Sequence, residues 1–361
     1  MHAGDRQQAI LRHLREQETL RVTEFAAELG VAAVTIRKDV EVLAQRGLLV
    51  RVHGGAMLPG ALESQAATTP ERREPVEHEL TLGMVVPTLG YYHHEVIKGA
   101  QQAANELGAQ LLVHASGYDP ATERDLTARL LDQGVDGLLL TPSPGGADTK
   151  VAAEPWRSGL DVPVVFVERA VGTDDETSEF VMSDHVAGAR MATRHLVALG
   201  RRRIALVVRD TTPTVPWIEE GYRSVLAEAG LERPTDLPYI VVSVEPPDHP
   251  EHTRPMAEFV DTVAAGKVDA AILHPEVEAL NLLRWHTSRG LRVPEDLAIV
   301  SYDDEVAAIA DVPLTSVAPP KHEVGYSAVE LLLARIRHPE RPPRRIRVMP
   351  ELKIRSSAPA A

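Results

Sequence analysis

The stretch Thr23-Glu24-Phe25-Ala26-Ala27-Glu28-Leu29-Gly30, followed after Val31 by Ala32-Ala33-Val34-Thr35-Ile36-Arg37-Lys38-Asp39-Val40, carries two helix signals in succession. Thr23 is an N-cap, good helix formers follow, and Gly30 supplies the residue best suited to a helix end. Ile36, Val40 and Leu43 then recur at helical spacing and give a third helix its apolar seam, which stops at Gly47. Upstream, Ile10, Leu11 and Leu14 make residues 6–17 an amphipathic helix. Downstream, Leu48-Leu49-Val50-Arg51-Val52-His53-Gly54-Gly55 runs β-branched residues into a Gly pair, the pattern of a short hairpin, or wing. Helix, helix, tight turn, helix and wing predict a winged helix-turn-helix over residues 1–58.

Residues 59–79 are rich in Pro, Ala, Thr and Glu, have little periodicity and read as a linker. Over residues 80–361, short apolar runs alternate with helical patterns. The candidate strands are Leu82–Val86, Gln110–Val113, Gly137–Leu140, Val162–Val167, Ile204–Val208, Tyr239–Val242, Ala270–Leu273 and Leu297–Ser301. Helical patterns include His94–Leu107, Pro120–Gln133, His185–Leu199 and Glu276–Arg289. That alternation predicts an α/β unit of doubly wound parallel sheets, and the number of strands predicts two lobes.

Composition narrows the function. The chain has 361 residues, beyond the usual single-core limit. It has no cysteine, which excludes disulfide frameworks, cysteine-ligated metal sites and thiol nucleophiles. No apolar run reaches the roughly 18 residues needed to span a bilayer, and Met1–Glu18 lacks a signal-peptide core, so a cytoplasmic, nucleoid-associated protein is expected. The net charge of −14 is unevenly placed. Residues 1–58 hold 8 Lys and Arg against 7 Asp and Glu, residues 59–79 hold 2 against 5, and residues 80–361 hold 28 against 40. The acid therefore sits mostly in the large C-terminal part and the helix-turn-helix segment is near neutral, so the net charge neither excludes nor requires a nucleic-acid partner.

Arg6, Ile10 and Leu14, then Ala32-x2-Thr35-Ile36-Arg37-Lys38-Asp39-Val40, and finally Arg46-Gly47-Leu48 with Arg51-Val52-His53-Gly54-Gly55-Ala56, resemble the DeoR-type helix-turn-helix signature over residues 6–57. Ala32-Ala33 stands where that family often has a Ser or Thr cap, a weaker helix start. The second part resembles the effector domain of Lac-repressor-type regulators, a periplasmic-binding-protein-like fold. Leu82-Gly83-Met84-Val85-Val86-Pro87, Pro163-Val164-Val165-Phe166-Val167-Glu168-Arg169 and Val300-Ser301-Tyr302-Asp303-Asp304 are among the matching stretches. The pair of resemblances implies a hybrid regulator, DeoR-type at its head and Lac-repressor-type in its sensor.

A recognition helix reads base edges in the major groove from its N-terminal residues. Thr35, Arg37 and Lys38 occupy that position here, and Arg51, His53, Gly54 and Gly55 of the wing are placed to meet the backbone or minor groove. In the sensor, the resemblance implies an effector cleft at the carboxyl ends of strands. It puts Tyr92 and His93 after the first strand, Glu168 and Arg169 after the fourth, and Asp303 after the Val300–Tyr302 run. Trp217 and Glu276 stand where relatives have an Arg and an Asn-Asp pair, and are further candidates. Carboxylates, an Arg and aromatic rings suit a polyhydroxylated, carbohydrate-like ligand.

No catalytic residues, metal site or cofactor are expected. Gly-x-Ser-x-Gly is absent, and neither His93-His94-Glu95 nor His249-Pro250-Glu251-His252 has the spacing of a helical His-Glu-x-x-His site. A cytoplasmic sugar-acting enzyme or a solute-binding protein is the alternative reading, but both leave the head unexplained. The expected partners are a two-fold symmetric double-stranded DNA operator, a sugar or sugar derivative and a second copy of the chain, with no membrane. The helical stretches Ile97–Leu107 and Val329–Ile336 are candidates for the dimer surface, or equally for core.

Overall fold

In the computed structural model the chain divides into two compact units, Met1–Glu77 and His78–Ala361. The structure describes residues 80–144, 156, 159–169, 177–209, 212–231, 240–242, 250–288 and 290–360 of the second unit. In the first it describes 6, 9, 10, 12–14, 19–21, 25, 26, 29, 31, 35, 36, 38–40, 43, 50–52 and 55–57. The linker expected over 59–79 lies outside the described residues, as do Arg37, His53, Gly54 and the Ala32-Ala33 turn.

Arg6, Ile10 and Leu14 lie in a first helical segment, Phe25 and Ala26 in a second, and Ile36, Val40 and Leu43 in a third. Ile10, Leu14, Phe25, Ile36, Val40 and Leu43 close into one core, which is what their helical periodicity predicts. Strands β2 (Val50–Val52) and β3 (Gly55–Met57) pair antiparallel as the wing. A third strand, β1 (Thr19–Arg21), pairs with β3 and was not expected. Three residues are too few to show a two-residue period. Arg6 Nε donates to Asp39 Oδ2 at 2.7 Å, so these two signature positions brace the first helical segment against the third.

Among its described residues the second unit contains two six-stranded sheets. Its elements begin β4 (Leu80–Val86), α1 (Tyr92–Glu106), β5 (Ala109–Ala115), α2 (Pro120–Asp132), β6 (Gly137–Leu140), β7 (Val164–Val167) and β8 (Glu179–Ser183). They continue with α3 (His185–Ala198), β9 (Ile204–Arg209), α4 (Val215–Glu228), β10 (Ile240–Val242), α5 (Pro250–Ala264), β11 (Ala270–His274), α6 (Glu276–Ser288) and β12 (Ala298–Tyr302). The 3-10 turn Ala307–Ile309, β13 (Thr315–Ala318), α7 (Lys321–Arg337), β14 (Arg345–Val348) and β15 (Glu351–Lys353) complete it. The strand order is β14-β8-β7-β6-β4-β5 in one lobe and β10-β9-β11-β12-β13-β15 in the other. All described pairings are parallel except β13 with β15. Parallel sheets covered on both faces bury every side chain of a strand, so β6, β8, β11 and β12 are buried throughout.

Each expected strand is present, with ends moved by a residue or two. Val162–Val167 shortens to Val164–Val167, since Pro163 has no N–H for the ladder. Strands β8, β13, β14 and β15 were not expected, because each is short and carries polar residues: Glu179 and Ser183, Thr315 and Ser316, three of the residues of β14 and β15 being arginine or lysine. The chain passes between the lobes after β8, after β13 and after β14, which gives the cleft three connecting segments. At one crossing Asp184 N donates to Val348 O at 2.8 Å, tying two of these segments together. The buried positions of α1 and α7, including Val96, Ala100, Val324, Val329 and Leu332, share one core cluster. Those side chains are interior to the lobe, so neither stretch offers its whole apolar face to a second copy. Among the described residues no helix is long and apolar enough to cross a membrane.

Candidate functional site: a polar cleft with a strained rim

In open parallel sheets, ligands sit beyond the carboxyl ends of the strands. Here those ends face a cavity of about 440 Å³. Tyr91, Tyr92 and His93 reach it from the end of β4, Tyr118 from β5, and Glu168 and Arg169 from β7. Arg209 comes from β9, His274 from β11 and Asp303 from β12. Tyr91 (φ 48°), Tyr118 (φ 65°), Glu168 (φ 58°) and Asp303 (φ 100°) are four of the five non-glycine residues with left-handed φ among those described. Conformations of that kind cost free energy and persist where the surroundings impose them.

Glu168 is a hub. Its Oε1 accepts from Tyr92 Oη at 2.8 Å and from Ser183 Oγ at 2.9 Å, and its Oε2 accepts from Ser183 N at 3.0 Å. Three short bonds leave little capacity for a ligand, so the carboxylate mainly fixes Tyr92. The Arg169 guanidinium is buried, donates to Pro142 O at 2.5 Å and lies 5.8 Å from the Tyr118 ring centroid. Burial pulls its pKa down, with Tyr118, Glu123 and Glu168 opposing the shift.

Asp303 is different. It is buried, yet among the described residues its carboxylate oxygens find only Tyr91 Oη at 3.5 Å and His274 Nε2 at 3.8 Å. Burial raises its pKa to about 7; Lys321 counters that rise while Glu276, Glu305 and Glu168 add to it. Lys321 Nζ donates to the Asp303 carbonyl at 2.5 Å and bonds Glu305, and so is committed to the backbone of the loop. Burial also holds His274 and His93 near 3, with help from His185 and Arg209 in the first case and Arg169 in the second. His185 is lowered by burial too. All three imidazoles are neutral at physiological pH, each with one donor and one acceptor.

Several cleft groups are left with unfilled hydrogen-bond capacity. His185 Nε2, Arg209 Nε, Thr214 Oγ1 and His274 Nδ1 are buried and have no hydrogen-bond partner among the described residues. Groups of this sort are rare in folded proteins and point to a missing polar partner. The cleft can therefore supply both donors and acceptors to a ligand that carries several hydroxyls.

Of the residues expected from sequence, Tyr92, His93, Glu168, Arg169 and Asp303 line this cavity, and Trp217 and Glu276 do not. Glu276 instead accepts from Glu305 N at 3.0 Å, Val306 N at 2.6 Å and Ser301 Oγ at 3.3 Å, holding the loop that carries Asp303. Trp217 packs on the apolar cluster of the opposite lobe and stacks on His185 at 6.3 Å between ring centroids. Tyr91 stood in the Tyr91-Tyr92-His93 run that the sequence placed after the first strand, whereas sequence reading missed Tyr118, His185, Arg209 and His274. Arg209 and His274 had a usable signal, a polar residue closing an apolar strand run. Tyr118 had none, since it stands in a turn with no period. In the head, Lys38 is exposed on the third helical segment and Thr35 half-buried there, while Arg51 and Gly55 lie in the wing strands. Among the described residues no group of three or more His, Asp or Glu gathers as a metal set.

A family model described as a periplasmic binding protein-like domain matches residues 193–358, and one described as a DeoR-like helix-turn-helix domain matches residues 6–60. The chain is 32% identical over 272 residues to the HTH-type transcriptional regulator CelR of Thermobifida fusca, covering 74% of this chain and 76% of that protein. It is 29% identical over 294 residues to the ribose operon repressor of Escherichia coli K12, covering 77% and 82%. Among solved structures, a complex of the transcriptional regulator CelR with cellobiose superposes with a TM-score of 0.65 at 28% identity, covering 93% of this chain and 98% of that one.

Proposed function

This chain belongs to the LacI family of HTH-type transcriptional regulators, and we propose that it represses transcription until a saccharide occupies the cleft of its second unit. The observation that carries the sugar reading is the set of buried, unpartnered polar atoms on His185, Arg209, Thr214 and His274. Hydroxyls of a ligand satisfy them, and the carboxylate of Asp303 accepts another hydroxyl. The relatives named for cellobiose and ribose support the same ligand class.

In the head, Thr35, Arg37 and Lys38 read the major groove, and Arg51, His53, Gly54 and Gly55 meet the DNA backbone or minor groove. One winged helix reads only a few base pairs, so two copies bind a two-fold symmetric operator and multiply the discrimination. The protein works in the cytoplasm at the nucleoid, and binds its sugar without turning it over. Selection of genomic fragments with the full chain, repeated with each sugar of a panel, tests this function. A symmetric site released by one sugar is the expected result. No enrichment above background, or release by none, would overturn it.

A further inference from the structure

The cleft has two chemically different parts. Its floor is buried and polar: Glu168, Arg169, His274 and Asp303 are each at most 8% exposed. Its rim is aromatic and open, with Tyr91 49% and Tyr118 51% exposed. Neither rim ring belongs to any hydrophobic core cluster among the described residues. Folding therefore gains little from either ring, yet both sit on left-handed backbone, which an L-residue with a bulky side chain adopts at a cost. A strained, half-exposed aromatic at a cleft mouth needs a use.

Geometry suggests one. The Arg169 guanidinium lies 5.8 Å from the centroid of the Tyr118 ring, which fixes that ring while leaving half its surface free. Tyr91 spans the cleft, its hydroxyl reaching Asp303 Oδ2 at 3.5 Å from the other lobe. Val277, at 37% exposure, adds an aliphatic contact to the mouth from α6. A pyranose or furanose has an apolar C–H face that packs on an aromatic ring while its hydroxyls stay in water, the arrangement a half-exposed tyrosine favours. The two half-exposed rim rings line the same cavity as the buried floor that a first sugar ring would engage.

We propose that Tyr91 and Tyr118 form an outer sugar subsite, so that the effector is an oligosaccharide of at least two rings. The inner ring takes its hydroxyl contacts from His274 and Asp303, and the outer ring stacks on the rim. The proposal rests on reading the cleft as a saccharide site and adds the size of the ligand.

The test is calorimetric titration of the full chain with D-glucose, D-galactose, D-mannose, D-xylose and L-arabinose, and with the α- and β-linked di- and trisaccharides of each. Adenosine, which also offers a stackable ring, serves as the counter-probe. An oligosaccharide should bind at least about tenfold more tightly than its own monosaccharide, the scale of one aromatic stacking contact with its burial. In Tyr118→Ala and in Tyr91→Ala that ratio should fall towards one, whereas Tyr118→Phe should keep it. Melting temperatures of the variants show that they are folded. A monosaccharide that binds as tightly as its dimer, a ratio that survives in the folded double alanine variant, or adenosine binding in place of every saccharide would overturn the subsite. A chain that binds no sugar of either size would overturn the sugar reading as well.

Discussion

Single side chains set how this protein responds to pH, because the cleft buries ionisable groups of opposite kinds. His93 and His274 are held near 3, while in the unfolded chain they take up protons near 6.5. For these lowered bases the stabilisation is complete above about pH 6.5 and is lost as pH falls, by about 1.4 kcal/mol per unit for each residue. Asp303, raised from 3.8 to about 7, works the other way: its contribution is complete below about pH 4 and is lost as pH climbs to 7. Two histidines outweigh one aspartate below pH 6.5, and the aspartate acts alone just above it. Thermal unfolding should therefore show greatest stability near pH 6.5. His274→Gln should flatten the acid side and Asp303→Asn should remove the fall on the alkaline side; a melting temperature independent of pH between 5 and 8 would contradict this. At the DNA, Lys38→Ala and Arg37→Ala should each weaken specific binding by roughly 1–3 kcal/mol if they hold a base, and affinity should drop steeply with salt. Filter binding at two salt concentrations separates a base contact, which alters sequence preference, from a phosphate contact, which mainly alters the salt slope.

At the level of elements, the α1–α7 crossing decides whether the first lobe closes. A Cβ on Gly99 would lie 1.8 Å from the His322 carbonyl oxygen, and one on Gly325 would lie 1.9 Å from that of Val96. Each helix thus lays backbone against backbone at the glycine of the other, and only glycine allows it. Gly99→Ala or Gly325→Ala must push the helices apart and open the core around Val96, Ala100 and Val324. The loss should reach about 2–3 kcal/mol in urea unfolding, despite alanine's better helix propensity. Gly90, with nothing within 4 Å of its Cβ position, is the control and should change stability by less than about 0.5 kcal/mol when made alanine. Helix periodicity located both helices, but sequence alone gave no sign that Gly99 and Gly325 face one another. More than two hundred residues separate them, and the pairing is a product of the crossover topology.

For the whole molecule, regulation requires that a sugar favour one arrangement of the lobes over another. Trp217 of one lobe already packs on the apolar cluster of the other, and Tyr91 reaches across to Asp303. Movement about the three connecting segments must remake both contacts. The ligand can shift operator affinity by no more than its own preference between the two arrangements, typically about 1–3 kcal/mol. Light scattering on the full chain should give a dimer, and operator titrations with and without the sugar should differ by about 5- to 150-fold. A monomer on DNA, or identical titrations, would count against this coupling.

The sequence by itself determined the longer helices and apolar strands and their order, because helical and strand periods are local and survive in any packing, but not the short strands β1, β8, β13, β14 and β15. It also determined the wing and the alternation that requires parallel sheets, and it placed polar groups such as Glu168, Arg169 and Asp303 at the ends of apolar runs. Only the tertiary structure decided which of these groups act together. Glu168 turned out to be saturated by Tyr92 and Ser183, Glu276 to support a loop, and Trp217 to join the lobes, since each role depends on partners distant in the chain. Tyr118 and His185 entered the site for the same reason. What a side chain does here follows from which neighbours have already satisfied its hydrogen bonds, and that is a property of the folded chain alone.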